Sequence, residues 1–286
     1  VVVGVGGYAA GPDCLAARIL GIPVCLQEQN SLPGITNRLL ARVARRIYTS
    51  FSESNRHFPA KKVMLAGNPV RDEIITLGRQ PFERAPDRPF TILVAGGSQG
   101  ARSINTAIID MLAHIDDPGS LQLIHQCGAE DHARVQHAYE GTGVTARVEA
   151  FFNDMDRQYA QADLAVCRAG ATTVAELTCI GLPTIFIPFP HAADNHQEIN
   201  ARSVVSAGAG EMIIETEINA RDLWLQIRQL RDNPERLEDM ARRARAIGRP
   251  EAAATIVADI FRHVLRMISI HFSSSYSGCF PANSSM

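Results

Sequence analysis

Short β-branched runs alternate with amphipathic stretches along most of the chain, and this alternation predicts βαβ units with parallel sheets. The opening runs place strands over 1–5, 23–27 and 63–66, with helices over 12–20 and 35–44 between them. Over 77–89 the sequence turns polar and proline-containing (Pro81, Pro86, Pro89), which predicts a linker. A fuller series follows, with strands over 91–95, 121–126, 163–167 and 184–187. Helices are predicted over 101–113, 131–139, 155–161, 173–180, 197–207, 219–231, 234–247 and 251–267. The expected architecture is therefore α/β, with two doubly wound lobes: an incomplete first lobe over 1–80 and a second over 81–268. A Ser-rich tail over 269–286 has no periodicity and is expected to stay unstructured. The chain opens without Met on Val1-Val2-Val3-Gly4-Val5, already inside a strand, and is expected to be an N-terminally truncated piece of a longer protein.

Composition narrows the possible functions. The 286 residues are 46% hydrophobic and 20% charged, which excludes a disordered chain. Lys+Arg 28 against Asp+Glu 30 leaves a formal charge of -2, so no global basic field recruits nucleic acid. Cys14, Cys25, Cys127, Cys167, Cys179 and Cys279 are scattered, with no C-x-x-C pair. A disulfide framework and a zinc cage are not expected, and a reducing compartment fits. The apolar run over 182–189 falls far short of the ~18 residues that a membrane span requires.

The candidate chemistry lies in glycine-rich corners. Gly96-Gly97-Ser98-Gln99-Gly100-Ala101 follows a strand and opens a helix, where glycine admits a ligand close to the backbone and helix N–H groups attract phosphate. Taken alone, it fits a bare βα corner equally well. It is neither the G-x-G-x-x-G fingerprint nor a Walker loop. Arg168-Ala169-Gly170-Ala171-Thr172-Thr173-Val174-Ala175-Glu176 is a second corner, with two hydroxyls where a diphosphate would land. Glu176 either accepts hydrogen bonds from a ribose diol or merely answers the helix macrodipole. Two such corners in one lobe favour a nucleotide. Gly6-Gly7-Tyr8-Ala9-Ala10-Gly11-Pro12 is a third candidate anion loop, and its place in the other lobe implies a ligand in an interlobe cleft.

These segments, together with Glu28-Gln29-Asn30 and Gly67-Asn68-Pro69-Val70-Arg71, stand in the order that resembles the MurG family. Those are the undecaprenyldiphospho-muramoylpentapeptide β-N-acetylglucosaminyltransferases of peptidoglycan synthesis. Pro188-Phe189-Pro190-His191 with Asp194, His196, Gln197, Asn200 and Ala201 extends the likeness, which runs over 1–267. The resemblance implies a GT-B fold of two Rossmann-like lobes and an inverting transfer from UDP-N-acetylglucosamine to a lipid-linked muramoyl pentapeptide. It implies no cofactor and no metal. It also implies a peripheral protein on the cytoplasmic face of the bacterial inner membrane, tied to cell shape, cell division and the cell cycle. By resemblance, Ser98 and Ala171, Thr172, Thr173, Val174 and Ala175 hold the diphosphate, and Glu176 holds the ribose. Phe152 reads the uracil edge through its backbone, while Asn30, Arg71 and Gln197 contact the donor. Gly7, Tyr8 and Glu28 are acceptor-side candidates.

The chain departs from the family pattern in places. The Gly-Gly-Thr-Gly-Gly-His loop that carries the proposed general base is absent from this sequence, so no catalytic residue is assigned. Gln27 stands where His is frequent, and Ala10 replaces a common Ser. Two alternatives follow: a UDP-sugar-binding half that is inactive without a partner, or a UDP-N-acetylglucosamine epimerase of the same fold with Glu28 as its obvious first-lobe carboxylate.

Other features have plainer readings. Asp154-Met155-Asp156 looks like a metal clamp but is read as a helix start capped by Asn153 or Asp154. His132 and His137 are read as solvent-exposed, and His191 as a cleft-facing donor contact. Arg38, Arg42, Arg45 and Arg46, interleaved with Leu39, Leu40 and Val43, read as a solvated face or, given the lipid substrate that the resemblance implies, as a membrane-surface face. Arg242, Arg243, Arg245 and Arg249 read as plain surface.

Overall fold

The computed structural model describes residues 1–82, 88–192 and 195–265. The tail over 269–286, Cys279, Asp194 and part of the expected linker lie outside the described residues. The chain divides into two compact units. The first comprises Val1–Gln29, Pro33–Asn68 and the segment from Glu251 onward; the second comprises Asn30–Leu32 and Pro69–Pro250. The division thus falls after Asn68, ahead of the polar 77–89 stretch, and the final helix groups with the first unit. The residues just before the polar stretch form a helix, Asp72–Gly78, that packs on its own unit. Gly78 lies so close to the helix Ala171–Ile180 that a Cβ would meet Cys179 O at 2.5 Å.

The first unit is built on a parallel sheet in the order β1 (Val2–Gly4), β2 (Val24–Glu28), β3 (Arg46–Thr49), β4 (Val63–Leu65). Helix α1 (Gly7–Ile19) starts well before the predicted residue 12. Gly6 and Gly7 take the positive-φ corner (φ 85° and 75°), so the supposed anion loop over 6–12 is already helix and includes Pro12. Helix α2 (Ile35–Leu40) is shorter than predicted, because the chain turns over 41–44 into β3, a strand the sequence pattern does not announce. Cys14, Leu26, Leu40 and Ile47 pack in its core. On the other face of the sheet, Tyr48 and Ala66 pack against Ile256 of the C-terminal helix Ala252–Asp259. Asp259 there accepts from Arg46 Nε (2.8 Å) and Nη2 (2.7 Å) and from the Tyr48 hydroxyl (2.9 Å). Arg46 is therefore an internal ion-pair residue rather than part of a basic surface.

The second unit opens with α3 (Asp72–Gly78), followed by β5 (Phe90–Ala95), α4 (Arg102–Leu112), β6 (Leu121–Gln126), α5 (His132–Tyr139) and β7 (Thr145–Glu149). It continues with α6 (Met155–Gln161), β8 (Leu164–Cys167), α7 (Ala171–Ile180), β9 (Thr184–Phe186), α8 (His196–Ser206) and β10 (Glu211–Met212). Helices α9 (Ala220–Arg231) and α10 (Pro234–Ile247) close it. All strand pairings are parallel, in the order β10-β9-β8-β5-β6-β7. The order reverses between β5 and β8, and in such sheets a ligand site forms at the carboxyl ends of the two strands flanking the reversal. The two glycine-rich corners follow those two strands. Strands β7 and β10 are not announced by the sequence pattern; β7 is an edge strand with no buried residue, and β10 has two residues.

Near the end of β6 lies a buried polar network. Asn105 Nδ2 donates to Cys127 O (2.9 Å) and Asp131 Oδ2 (2.8 Å), which leaves its Oδ1 to accept from His125 Nε2 (3.0 Å). The Tyr139 hydroxyl then donates to His125 Nδ1 (2.9 Å). Burial pushes the imidazole down to about 3, so it is neutral in the native state at ordinary pH. The unfolded chain takes up a proton below about pH 6.5, one that the native state does not bind. The contribution of His125 is full above that pH and declines as pH falls, with a slope approaching 1.4 kcal/mol per unit (about 2 kcal/mol between about pH 6.5 and about pH 5). Urea denaturation at about pH 7.5 and about pH 5 should therefore show His125→Gln losing less stability on acidification than the parent. Equal losses would contradict this assignment.

Candidate functional site

The corner after β5 depends on glycine. A Cβ at Gly96 would lie 2.2 Å from Ala101 N, and one at Gly100 would lie 2.2 Å from Cys127 O. Gly97 (φ +87°) would meet nothing within 4 Å, so its missing side chain leaves open space above the turn. The corner after β8 brings Gly170 to the N-cap of α7, where no side chain bonds the first-turn N–H groups. Those donors and the positive end of the macrodipole are thus unclaimed by any cap.

A cavity of about 400 Å³ lies at these corners. Its lining includes Arg71, Gly97, Ser98, Gln126, Phe152, Tyr159, Arg168, Thr172, Thr173 and Glu176. The carboxylate of Glu176 is only 7% exposed, and protein donors take the place of its water. Arg71 donates to Oε1 through Nη2 (3.1 Å) and Nε (3.3 Å), and the Tyr159 hydroxyl donates to Oε2 (3.0 Å). Burial, and next the charge of Glu176, hold the Tyr159 phenol well above its ordinary range, so it remains a donor.

Arg168 is tied to several elements at once. It donates to Ile187 O (3.0 Å), Pro188 O (3.1 Å) and Ser103 Oγ (3.0 Å), pairs with Glu215, and lies 5.3 Å from the Phe189 ring centre. Gln126 bridges two walls: its Nε2 donates to Gly97 O (3.1 Å) and its Oε1 accepts from Phe152 N (3.0 Å). The backbone edge expected to read a base therefore already has its N–H committed to Gln126, while the Phe152 ring is buried beneath Arg147.

The expected donor residues do not all converge. Arg71, Ser98, Phe152, Thr172, Thr173 and Glu176 share the cavity. Ala171 and Val174 turn buried side chains away from it, which leaves them, with the half-buried Ala175, only backbone to offer. Asn30 and Gln197 are not part of its lining. Asn30 Oδ1 accepts from Asn200 (3.4 Å), whose Nδ2 also donates to Ala169 O (3.1 Å). Gln197 Oε1 accepts from Phe189 N (3.1 Å) and so braces the Pro188–Pro190 turn, where exposed His191 stacks edge-on with Phe189 at 5.6 Å. In the first unit, Tyr8 is 96% exposed. Gly7 begins α1, and buried Glu28 accepts from Asn37 Nδ2 at 2.8 Å. Asp154 is the N-cap of α6, and among the described residues no cluster of three or more His, Cys, Asp or Glu is placed to hold a metal ion. Arg245 is partly buried, with its Nε donating to Ile180 O (3.0 Å).

Tyr159 and Gln126 had no signal in the sequence, since a lone Tyr or Gln on a buried face looks like core. Arg168 lay inside a quoted motif but offered no clue to its partners, which come from three other segments.

Comparison with known proteins fits this geometry. Residues 91–256 match the glycosyltransferase family 28 C-terminal domain, and residues 1–49 match the corresponding N-terminal domain. An Anaeromyxobacter sp. (strain K) protein is 48% identical over 267 residues, covering 93% of this chain and 69% of the relative. It is named UDP-N-acetylglucosamine–N-acetylmuramyl-(pentapeptide) pyrophosphoryl-undecaprenol N-acetylglucosamine transferase. The crystal structure of Acinetobacter baumannii MurG is similar at a TM-score of 0.76 and 35% identity, covering 92% of this chain and 74% of that one. A UDP-GlcNAc 2-epimerase from Neisseria meningitidis, bound to UDP-GlcNAc, reaches a TM-score of 0.66 at 16% identity over 92% and 75% of the two chains, which shows a shared fold alone.

The two glycines of the first corner should respond differently to alanine. Gly97→Ala is expected to cost about 1–2 kcal/mol for its left-handed backbone. Gly100→Ala should cost clearly more, because its new Cβ also collides with fixed backbone. Urea denaturation of both variants checks the order, and a smaller loss at Gly100 would contradict the corner geometry.

Proposed function

The chain belongs to the MurG family of family 28 glycosyltransferases, and from that premise we propose that it transfers N-acetylglucosamine from UDP-N-acetylglucosamine to an undecaprenyl-diphospho-muramoyl pentapeptide in peptidoglycan synthesis. The observation that carries the site assignment is the cavity at the β5/β8 reversal, where an uncapped helix N-terminus and a buried carboxylate in the second turn of the same helix share one lining. The diphosphate lies between the α7 N-terminus, the Thr172 and Thr173 hydroxyls and the Gly97–Ser98 turn. Arg71 has N–H groups to spare beyond its bond to Glu176 and offers them to a phosphate oxygen. Glu176 accepts the ribose hydroxyls, and the Phe152 edge meets the uracil, with the Gln126 amide shifting to share the Phe152 N–H.

In the reaction, an acceptor hydroxyl attacks the anomeric carbon from the face opposite UDP. The bond from that carbon to the UDP oxygen breaks, and the configuration inverts. The negative charge that develops on UDP falls where the macrodipole and Arg71 already point, so these groups stabilise the leaving group. The hydroxyl proton passes to a general base, a role assigned to no residue of this sequence.

The first unit supports an acceptor role. Beside Glu28, the buried Gln27 Oε1 and Asn37 Oδ1 make no hydrogen bond among the described residues, which leaves unmet polar capacity in this part of the first unit. Ile19, Leu20, Ile35 and Leu39 are 63% to 85% exposed, and Arg38 and Arg42 lie on the same segment as the last two. An apolar surface with basic neighbours suits peripheral attachment to an anionic membrane, consistent with lipid-linked substrate on its cytoplasmic face and with a part in cell shape and division. Among the described residues no helix is long and apolar enough to cross a membrane.

Replacing Glu176 with Ala removes charge-assisted bonds to the ribose. UDP should then bind about 10–100-fold more weakly by titration calorimetry, with the fold retained by circular dichroism. Unchanged affinity would refute the placement of the nucleotide.

A further inference from the structure

Glu176 has two oxygens in different circumstances. Oε1 is met by Arg71, whose side chain is half exposed, whereas Oε2 is met by a phenol that is 6% exposed. A carboxylate tethered at one oxygen alone can turn about its terminal torsion, which is broad for such a group. The second, buried tether removes that freedom. The ring of Tyr159 packs as Phe would, so packing does not account for the hydroxyl, and the one hydrogen bond it makes among the described residues is to Glu176.

We propose that Tyr159 is a positioning residue for nucleotide recognition: its hydroxyl, 3.0 Å from Oε2, fixes the carboxylate plane so that Glu176 presents its accepting edge to the ribose diol. This rests on the reading that Glu176 holds the ribose. Tyr159 need not touch the ligand; it acts through the acid. It also shields Oε2 from water, so that ribose hydroxyls meet a carboxylate whose orientation is already set before binding.

The test compares UDP with 2′,3′-dideoxy-UDP, which lacks both ribose hydroxyls, by calorimetry on the full chain, on Tyr159→Phe and on Glu176→Gln. The parent should prefer UDP, and Glu176→Gln should lose most of that preference. Tyr159→Phe should bind UDP about 10-fold more weakly yet bind the dideoxy compound within about twofold of the parent. If the parent fails to discriminate, the ribose reading falls and the proposal falls with it. If the parent discriminates and Tyr159→Phe keeps the full preference, or weakens both ligands equally, Tyr159 is structural and the proposal alone is overturned. Should the Phe variant not fold, fluorotyrosine at position 159 keeps the shape and alters only the donor. A shifted UDP preference there supports the proposal, and an unmoved one overturns it.

Discussion

A carboxylate withdrawn from water must find its hydrogen bonds in the protein, and Glu176 meets that demand with Tyr159 on one oxygen and Arg71 on the other. Much of the second unit is arranged around this pairing. Helix α6 supplies the phenol, the segment before α3 supplies the guanidinium, and α7 carries the acid within two turns of its own N-terminus. The site thereby sets a fixed negative group near a fixed positive helix end. That combination suits a nucleoside diphosphate better than a neutral sugar or a simple anion.

The sheet explains why the two halves of the site meet. In a parallel sheet whose order reverses, the crossover helices leave the flanking strands on opposite faces, and a crevice opens between the corners. Here Ala95 and Cys167 pair across β5 and β8, so the segments that follow them start side by side. Glycine is needed at the first corner because neighbouring backbone occupies the space that side chains would fill at Gly96 and Gly100. Arg168 then anchors the second corner to Ser103, Glu215 and the turn after β9. The walls of the cavity are thus cross-linked by hydrogen bonds.

Much of this was legible in the sequence, and the rest was hidden for physical reasons. Strand–glycine–helix corners are local, and β6, α6 and α10 matched their predicted bounds because clear period and turn signals flank them. Short strands such as β3 and β10 carry too few residues for a period, and their pairing is decided by distant neighbours. The glycines over 6–11 looked like a loop because their composition is that of a turn, yet only Gly6 and Gly7 serve as one. Arg46 read as surface because charge runs usually are, and its partner Asp259 lies far along the chain. Ser98, Thr172, Thr173 and Glu176, which share the cavity, stand within the corner motifs. Tyr159 and Gln126 stand outside them, and what they do depends on which backbone or carboxylate the fold sets opposite them.

The most direct test is a crystal structure of the chain with UDP-N-acetylglucosamine at saturating concentration. The diphosphate is expected at the α7 N-terminus beside Ser98, with both ribose hydroxyls on the Glu176 carboxylate and the Tyr159 hydroxyl still bonded to Oε2. A nucleotide seated elsewhere, or one whose ribose does not touch Glu176, would contradict the account.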